Sequence, residues 1–270
     1  MKQVKLQNRE NYRIRITLLS EAIFSSGAKE PNLVQSRVLT DQDGFVYFHA
    51  KTLKGQMKRS AMWILRQYAE LDSDRAIQFF QSIVKIFGFN REELENLQED
   101  YSGATQGTEP CKFIDAVKLE NNPILSQQGM MKLGHLELPR KVRDYFKNLY
   151  DEQLKSDDQN IYLSRHDLIE AQTHIRTGIQ LDDGVVKDGM FTSYHTVRQG
   201  LIFYAPIIFE QSPEEEVLWE LARIVRAMDW IGAGVHRGRG EIKAQLLALS
   251  EDGEKGDVKW DEVSNNPNFK

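Results

Sequence analysis

Nine residues late in the chain, Gly232-Ala-Gly-Val-His-Arg-Gly-Arg-Gly240, hold four glycines and two arginines. So much backbone freedom ends regular structure, so an amphipathic helix must stop before this stretch and a strand must begin after it. Glycine lets the backbone come close to a ligand and point successive amides outward, and guanidinium groups fit phosphate oxygens. A nucleotide or a nucleic-acid backbone is the ligand class that Gly232, Gly234, His236, Arg237, Gly238, Arg239 and Gly240 suit. The spacing is not that of the phosphate-binding loop, because no Gly-Lys-Ser/Thr follows and the helix precedes the loop. The same residues also serve as a tight left-handed turn with solvated arginines.

A second segment adds to this. Lys51-Thr-Leu-Lys-Gly-Gln-Met-Lys-Arg59 follows a short strand, Phe45 to Phe48, and opens a helix whose apolar residues Leu53, Met57, Ile64, Leu65 and Tyr68 recur at helical spacing. Lys51, Lys54 and Lys58 then stand near the helix start, where the positive dipole end disfavours cations unless an anion joins them. Phosphate is such an anion. The residues expected to meet it are Lys51, Thr52, Lys54, Gly55, Lys58 and Arg59, with Ser26 and Gly27 from the loop after the first strand. An ordinary solvated basic face has the same composition.

The 270 residues, 40% of them hydrophobic, suffice for one large domain or two small ones. No apolar run approaches the length of a membrane span, and the first residues lack the hydrophobic region of a signal peptide, so the cytoplasm is the expected compartment and no membrane is an expected partner. The single cysteine, Cys111, excludes an intrachain disulfide and a cysteine-cluster metal site. A net charge of -5 argues against a general nucleic-acid scavenger. The charge is uneven, however: acids gather at Glu92 to Asp100, Glu210 to Glu220 and Glu251 to Glu262, away from the two basic segments. Local potential decides where an anion docks.

Along the chain, Tyr12 to Leu19 alternates as a half-buried first strand, followed by a long loop, Ser25 to Asn32. A helix from Ser73 to Phe87 stops at Gly88. The polar residues 90–109 read as an insertion or mobile loop, Cys111 to Leu119 as a strand, and Pro139 as the start of a basic helix. Asp182-Asp-Gly184 marks the turn of a projecting β-hairpin. A buried strand spans Gly200 to Phe209, and Ser212-Pro-Glu-Glu provides an N-cap for a helix running to Ile231. Glu241 to Leu249 is the last strand, and the tail after Glu251 is expected to fray. This order fits a single α+β domain with a ferredoxin-like antiparallel sheet, elaborated by insertions, over residues 1–250. The insertions fall at about 90–109 and 121–165, the hairpin at about 170–197, and a polar tail at 251–270.

Taken together, these segments resemble the RAMP superfamily, specifically the backbone subunits of Csm-type and Cmr-type (type III) CRISPR effector complexes. The family's Ser-Ser-Leu-Lys-Gly-x-x-Arg helix start is matched by Lys51-Thr-Leu-Lys-Gly-Gln-Met-Lys58, with Lys58 in place of the arginine and Arg59 beside it. Its C-terminal glycine-rich loop ending Arg-Gly-x-Gly is matched by Arg237-Gly-Arg-Gly240. Its hairpin and Val-x-x-Gly-x-x-Phe strand entry correspond to Ile175 to Phe191 and Val197 to Phe203, and Phe87-Gly88 fits the Phe-Gly before an insertion. The resemblance implies a modified RRM-like domain that serves as a subunit of an antiviral ribonucleoprotein, holding guide RNA and complementary target RNA beside other effector subunits or copies of itself in a filament. Phosphate contacts carry no sequence information, as a protein loaded with many guides requires. The hairpin would act as a thumb, through Ile175, Arg176, Ile179, Met190 and Phe191, either wedged against unstacked bases or packed on its own domain.

Slicing members of the family carry an aspartate in the loop between the first strand and the Leu-Lys-Gly helix, assisting metal-dependent attack of a ribose 2′-OH. The matching place falls at Gln35 or Ser36, where no carboxylate stands, so a non-slicing subunit without a cofactor is the direct expectation. Glu30, Asp41 and Asp43 lie nearby; if one of them is the catalytic acid, magnesium would be the cofactor. Asp41 and Asp43 also read as turn residues before Gly44. Two other readings stay open: a repeat-processing endoribonuclease of the same superfamily using His49 or His236, and a non-catalytic end-capping subunit.

Overall fold

Strand β1, Tyr12–Leu18, sends Ile14, Ile16 and Leu18 into the core and leaves Arg13, Arg15 and Thr17 half-buried on the opposite face, as period-two alternation requires. The computed structural model describes residues 11–25, 37–102, 128–155, 163–182, 185–249 and 260–266. Within these, β1 lies between β7, Ile202–Phe209, and β8, Ile242–Leu249, antiparallel to both. Beyond β7 come β4, Leu136–Glu137, and β2, Tyr47–Phe48; β3, Met131–Leu133, also pairs with β7, and β9, Trp260–Glu262, closes the far edge on β8. The order β2-β4-β7-β1-β8-β9 places sequence-distant strands side by side, joined by helices over one face.

Those helices are α1, Ala50–Leu71, α2, Ser73–Phe87, and α6, Glu215–Arg226, with α1 packed on α2, α2 on α6 and α6 on β8. Each buries one stripe: Leu53, Met57, Ala61 and Leu65 from α1, Ala76, Phe79, Phe80 and Ile83 from α2, and Val217, Leu221, Ile224 and Val225 from α6. The Asp72 side chain accepts from the amides of Asp74 and Arg75 to start α2, and Gly88, at φ 67°, ends it. Glu220 of α6 is buried between Arg75 of α2 and Arg223, an ion-paired bolt across the α2–α6 contact.

The hairpin stands apart as a two-stranded sheet, β5, Thr173–Asp182, against β6, Val185–Val197, with a register shift between Ile179 and Leu181. Its Asp183-Gly184 turn and the Cys111 to Leu119 strand expectation lie outside the described residues.

Several expectations are corrected. The polar stretch after Asn90 is in part a helix, α3, Arg91–Ser102: the side chains and amides of Asn90 and Glu93 cap each other, and Leu94 and Leu97 are buried. Helix α4, Arg140–Lys155, follows Pro139 as expected, but α5, Arg165–Gln172, was not anticipated; Ser164 and Asp167 form its capping box. Helix α6 begins after Glu214, so Ser212 is not its cap, and it ends at Arg226 instead of Ile231. The tail does not simply fray, because Trp260 supplies an aromatic face 3.8 Å from the Arg13 guanidinium and Glu262 accepts from Gln245 at 2.6 Å, which docks β9.

Candidate nucleic-acid interface

The segment that leaves β1 joins everything at one end of the sheet. Ala22 and Val197 exchange backbone hydrogen bonds of 3.2 and 2.7 Å, tying on the base of the hairpin. The amide of Ala233 donates to the Ile23 carbonyl at 3.1 Å, that of Gly240 to Glu21 at 2.7 Å, and that of Leu39 to Phe24 at 2.7 Å. The Phe24 ring lies 4.8 Å from that of Phe48, the residue before the α1 N-cap. A Cβ on Gly232 would come within 3.4 Å of the same Phe24 ring and 2.5 Å of the Ile23 carbonyl oxygen. The starts of the two glycine-containing basic segments therefore both border Phe24.

The glycine-rich loop is one 3₁₀ turn, Val235–Arg237, between Gly234 at φ 78° and Gly238 at φ 71°. Its glycines have different jobs. A Cβ on Gly240 would sit 2.0 Å from the Ile231 carbonyl oxygen, so that position serves packing, whereas a Cβ on Gly238 would meet no atom within 4 Å. Its arginines divide as well. Arg237 and His236 are exposed, but Arg239 turns inward, 4.9 Å above the Tyr194 ring and 3.7 Å from Glu21. Expected as a phosphate ligand, Arg239 bridges the loop to β6 and to the segment after β1.

At the other segment, α1 starts without an acidic residue in its first turn. Two histidines take that place: His49 Nδ1 accepts from the Lys51 amide at 3.2 Å, and His135 Nδ1 accepts from the Ala50 amide at 3.1 Å. The two rings meet edge to face at 4.7 Å. His49 is thus an N-cap, and His135, from the β3–β4 connection, went unnoticed because its partner lies 85 residues away. Lys51, Thr52, Gly55 and Arg59 are exposed, and a Cβ on Gly55 would meet nothing within 4 Å. A glycine inside a helix costs about 1 kcal/mol relative to alanine, and here no packing neighbour demands it.

Lys54 is half-buried, and burial, followed by the charge of Lys58, pulls its ammonium below the usual lysine range. An added anion would relieve both effects. Lys58 is already partnered: Glu93 of α3 accepts from it at 2.9 and 3.1 Å, and its ammonium lies 4.4 Å from the Phe89 ring centroid. Burial pushes the Glu93 carboxyl up, but the Lys58 hydrogen bond and the Asn90 amide leave it below the usual glutamate value.

The acids proposed for cleavage are structural in their contacts. Asp41 Oδ1 accepts the amides of Asp43 and Phe45 at 3.0 and 2.9 Å, an Asx-turn, and Asp43 pairs with Lys147 of α4 at 2.7 Å. Arg165 donates to the Asp41 carbonyl, and the buried Gln172 amide bonds Gly44 and Val46, clamping the turn from α5. One oxygen of each carboxylate, Asp41 Oδ1 and Asp43 Oδ2, is engaged in this way. Ser26, Gly27, Glu30, Gln35 and Ser36 lie outside the described residues.

On the hairpin, Ile175 is 61% exposed, while Arg176 donates to both carboxylate oxygens of Glu21 at 3.1 and 2.5 Å and is therefore anchored to the body of the protein. Ile179 and Phe191 are directly paired across the strands, with Met190 next to Phe191; the side chains of these three lie outside the described residues. Among the described residues, no helix is long and apolar enough to cross a membrane.

A family model described as the RAMP superfamily matches residues 15–243. No curated protein matches the chain. Among solved structures, a chain from a cryo-EM structure of Type III-B Cmr-beta bound to cognate target RNA is 13% identical, with a TM-score of 0.51 over 87% of this chain and 96% of that one. A chain from the apo state of Type III-B Cmr-beta, also from cryo-EM, is 13% identical with a TM-score of 0.48 over 91% and 99% of the two chains. The first of these likenesses is one of fold, and it agrees with the α+β class.

Proposed function

We propose that this chain, which belongs to the RAMP superfamily, is an RNA-holding backbone subunit of a type III CRISPR effector ribonucleoprotein, acting in the cytoplasm for antiviral defence. The observation that carries the reading is the convergence at Phe24: the exposed start of α1 and the glycine-rich loop flank one aromatic ring at one end of the sheet. Each contributes cations, the exposed Lys51 and Arg59 with the half-buried Lys54 from α1 and the exposed Arg237 from the loop. Each also has a glycine, Gly55 or Gly238, over which nothing is packed, so a phosphate backbone can approach the main chain. Such contacts fix the course of an RNA without reading its bases.

In this reading the hairpin, tied to the body through Glu21 and Arg176, serves as the second wall of the site. Guide RNA, complementary target RNA and other effector subunits are the partners this reading names, and the structural neighbour bound to cognate target RNA supports it. Within it, the subunit's role is to hold RNA, and the turn that engages Asp41 Oδ1 and the Lys147 pair of Asp43 Oδ2 give these two acids structural work.

The test is co-expression with the neighbouring effector subunits, purification through a tag on this chain, and sequencing of the bound nucleic acid. Short RNAs sharing a repeat-derived 5′ end are expected. Recovery of the assembled protein free of RNA would refute the reading.

A further inference from the structure

The α1 helix continues past the phosphate site with an exposed tryptophan, Trp63, that the site does not use. Among its exposed residues, Thr52, Gly55, Arg59, Trp63 and Arg66 fall within an arc of about 80° at 100° per residue, one continuous stripe along the helix. Trp63 is 61% exposed, whereas a tryptophan in a folded body is ordinarily well covered. It lies outside the buried stripe of Leu53, Met57, Ala61 and Leu65 through which the helix packs. Among the described residues, Trp63 and Arg59 have no hydrogen bond, ion pair or ring contact. The stripe ends one turn past Arg66 at the acidic Glu70. The acidic helix α3 lies on the other flank, where Glu93 holds Lys58.

We propose that this stripe is a nucleobase platform: single-stranded RNA leaving the phosphate site at Gly55 lays a base on the Trp63 indole while Arg59 takes the adjoining phosphate. The inference rests on the RNA-holding reading above and adds to it a contact made by a base face. Three observations select RNA as the occupant. A cation on the stripe, the exposed Arg59, precedes the tryptophan by about one helical turn, so it complements the phosphate beside a stacked base. From Gly55 to Trp63 is about 12 Å at 1.5 Å per residue, and the stripe is continuous with the open backbone at Gly55. Finally, stacking on an indole tolerates any base, which suits a site whose phosphate contacts also ignore sequence.

The experiment uses the full-length chain and fluorescein-labelled single-stranded RNA of mixed sequence, with anisotropy titrations at several salt concentrations. Trp63→Ala is expected to weaken binding about tenfold with the salt slope unchanged, because a stacking contact releases no counterion. Trp63→Phe should recover most of the loss. Arg59→Ala should weaken binding and also flatten the slope. If Trp63→Ala binds RNA as wild type does while Lys54→Ala is impaired, the platform is refuted and the RNA-holding function stands. If Trp63→Ala keeps its RNA affinity but no longer joins its effector subunits, the stripe is a protein interface and the inference is overturned. Wild-type chain with no affinity for RNA would refute both. Far-ultraviolet circular dichroism and the thermal midpoint should be unchanged in Trp63→Ala, since an exposed side chain holds nothing in place.

Discussion

Glu21 holds Arg176 in a two-pronged pair, with Nε and Nη2 at 3.1 and 2.5 Å from its two carboxylate oxygens, and the same carboxylate stands 3.7 Å from Arg239. One acid therefore ties the base of the hairpin and the glycine-rich loop to the segment after β1. The Arg176 hydrogen bond, working against a smaller effect of burial, keeps the Glu21 carboxyl below the usual glutamate value. Its contribution to stability is fully present above the unfolded value and is lost as pH falls through the folded one. Glu21→Gln should raise hydrogen exchange at the base of β5 and β6 at neutral pH, with the core of α2 unaffected. Unchanged exchange at Thr173 to Arg176 would mean that the hairpin is held by its backbone bonds alone.

The glycines of the loop predict two different failures. Gly240→Val forces a branched side chain against the Ile231 carbonyl oxygen at positive φ, and a stability loss above about 3 kcal/mol is expected, seen as a large fall in the urea midpoint. Gly238→Val meets no neighbour and bears only the strain of its backbone conformation, about 1–3 kcal/mol. Its RNA affinity should fall by more than that strain accounts for, because the added methyl groups cover the approach to the backbone. Equal effects of the two substitutions on stability, with none on binding, would make the loop an ordinary turn.

Lys58 and Glu93 give a linked pair of readouts. Glu93→Gln removes the acid that occupies Lys58, so RNA binding should strengthen and its salt dependence steepen by up to about one counterion. Because the folded Glu93 carboxyl lies below its ordinary value, wild type should lose its stability advantage over Glu93→Gln as pH falls from the ordinary glutamate value through the lower folded one. Weaker RNA binding by the variant would show that Glu93 orients Lys58 toward the ligand instead of withholding it.

Much of the fold was legible because it is written in local patterns: the alternation of β1, the apolar spacing of α1, and the run from Ser73 to Gly88 bounded by a cap and a positive-φ glycine. Composition misled where a short signal was diluted. Helix α3 is strongly polar, yet its Asn90–Glu93 capping box and two buried leucines suffice to order it. The start of α6 was misplaced because Ser212 and Pro213 imitate a cap that Glu214 occupies without a side-chain bond. At the site, residue types identified the two basic segments but could not tell which side chains face outward. Arg239 and Lys58 turned out to be partnered by Glu21 and Glu93, and His135 reaches α1 only through tertiary contact. Such pairings depend on the fold as a whole, and a single sequence carries no local trace of them.

The most direct test of the RNA-holding account is the salt dependence of RNA affinity for wild type, Lys54→Ala, Arg237→Ala and the double variant, measured on several unrelated single-stranded sequences. Each single substitution should weaken binding to every sequence alike and lower the slope of log K against log salt by about 0.7, the double variant by about twice that. Slopes that match wild type, or losses confined to particular sequences, would contradict a phosphate cradle formed by α1 and the glycine-rich loop.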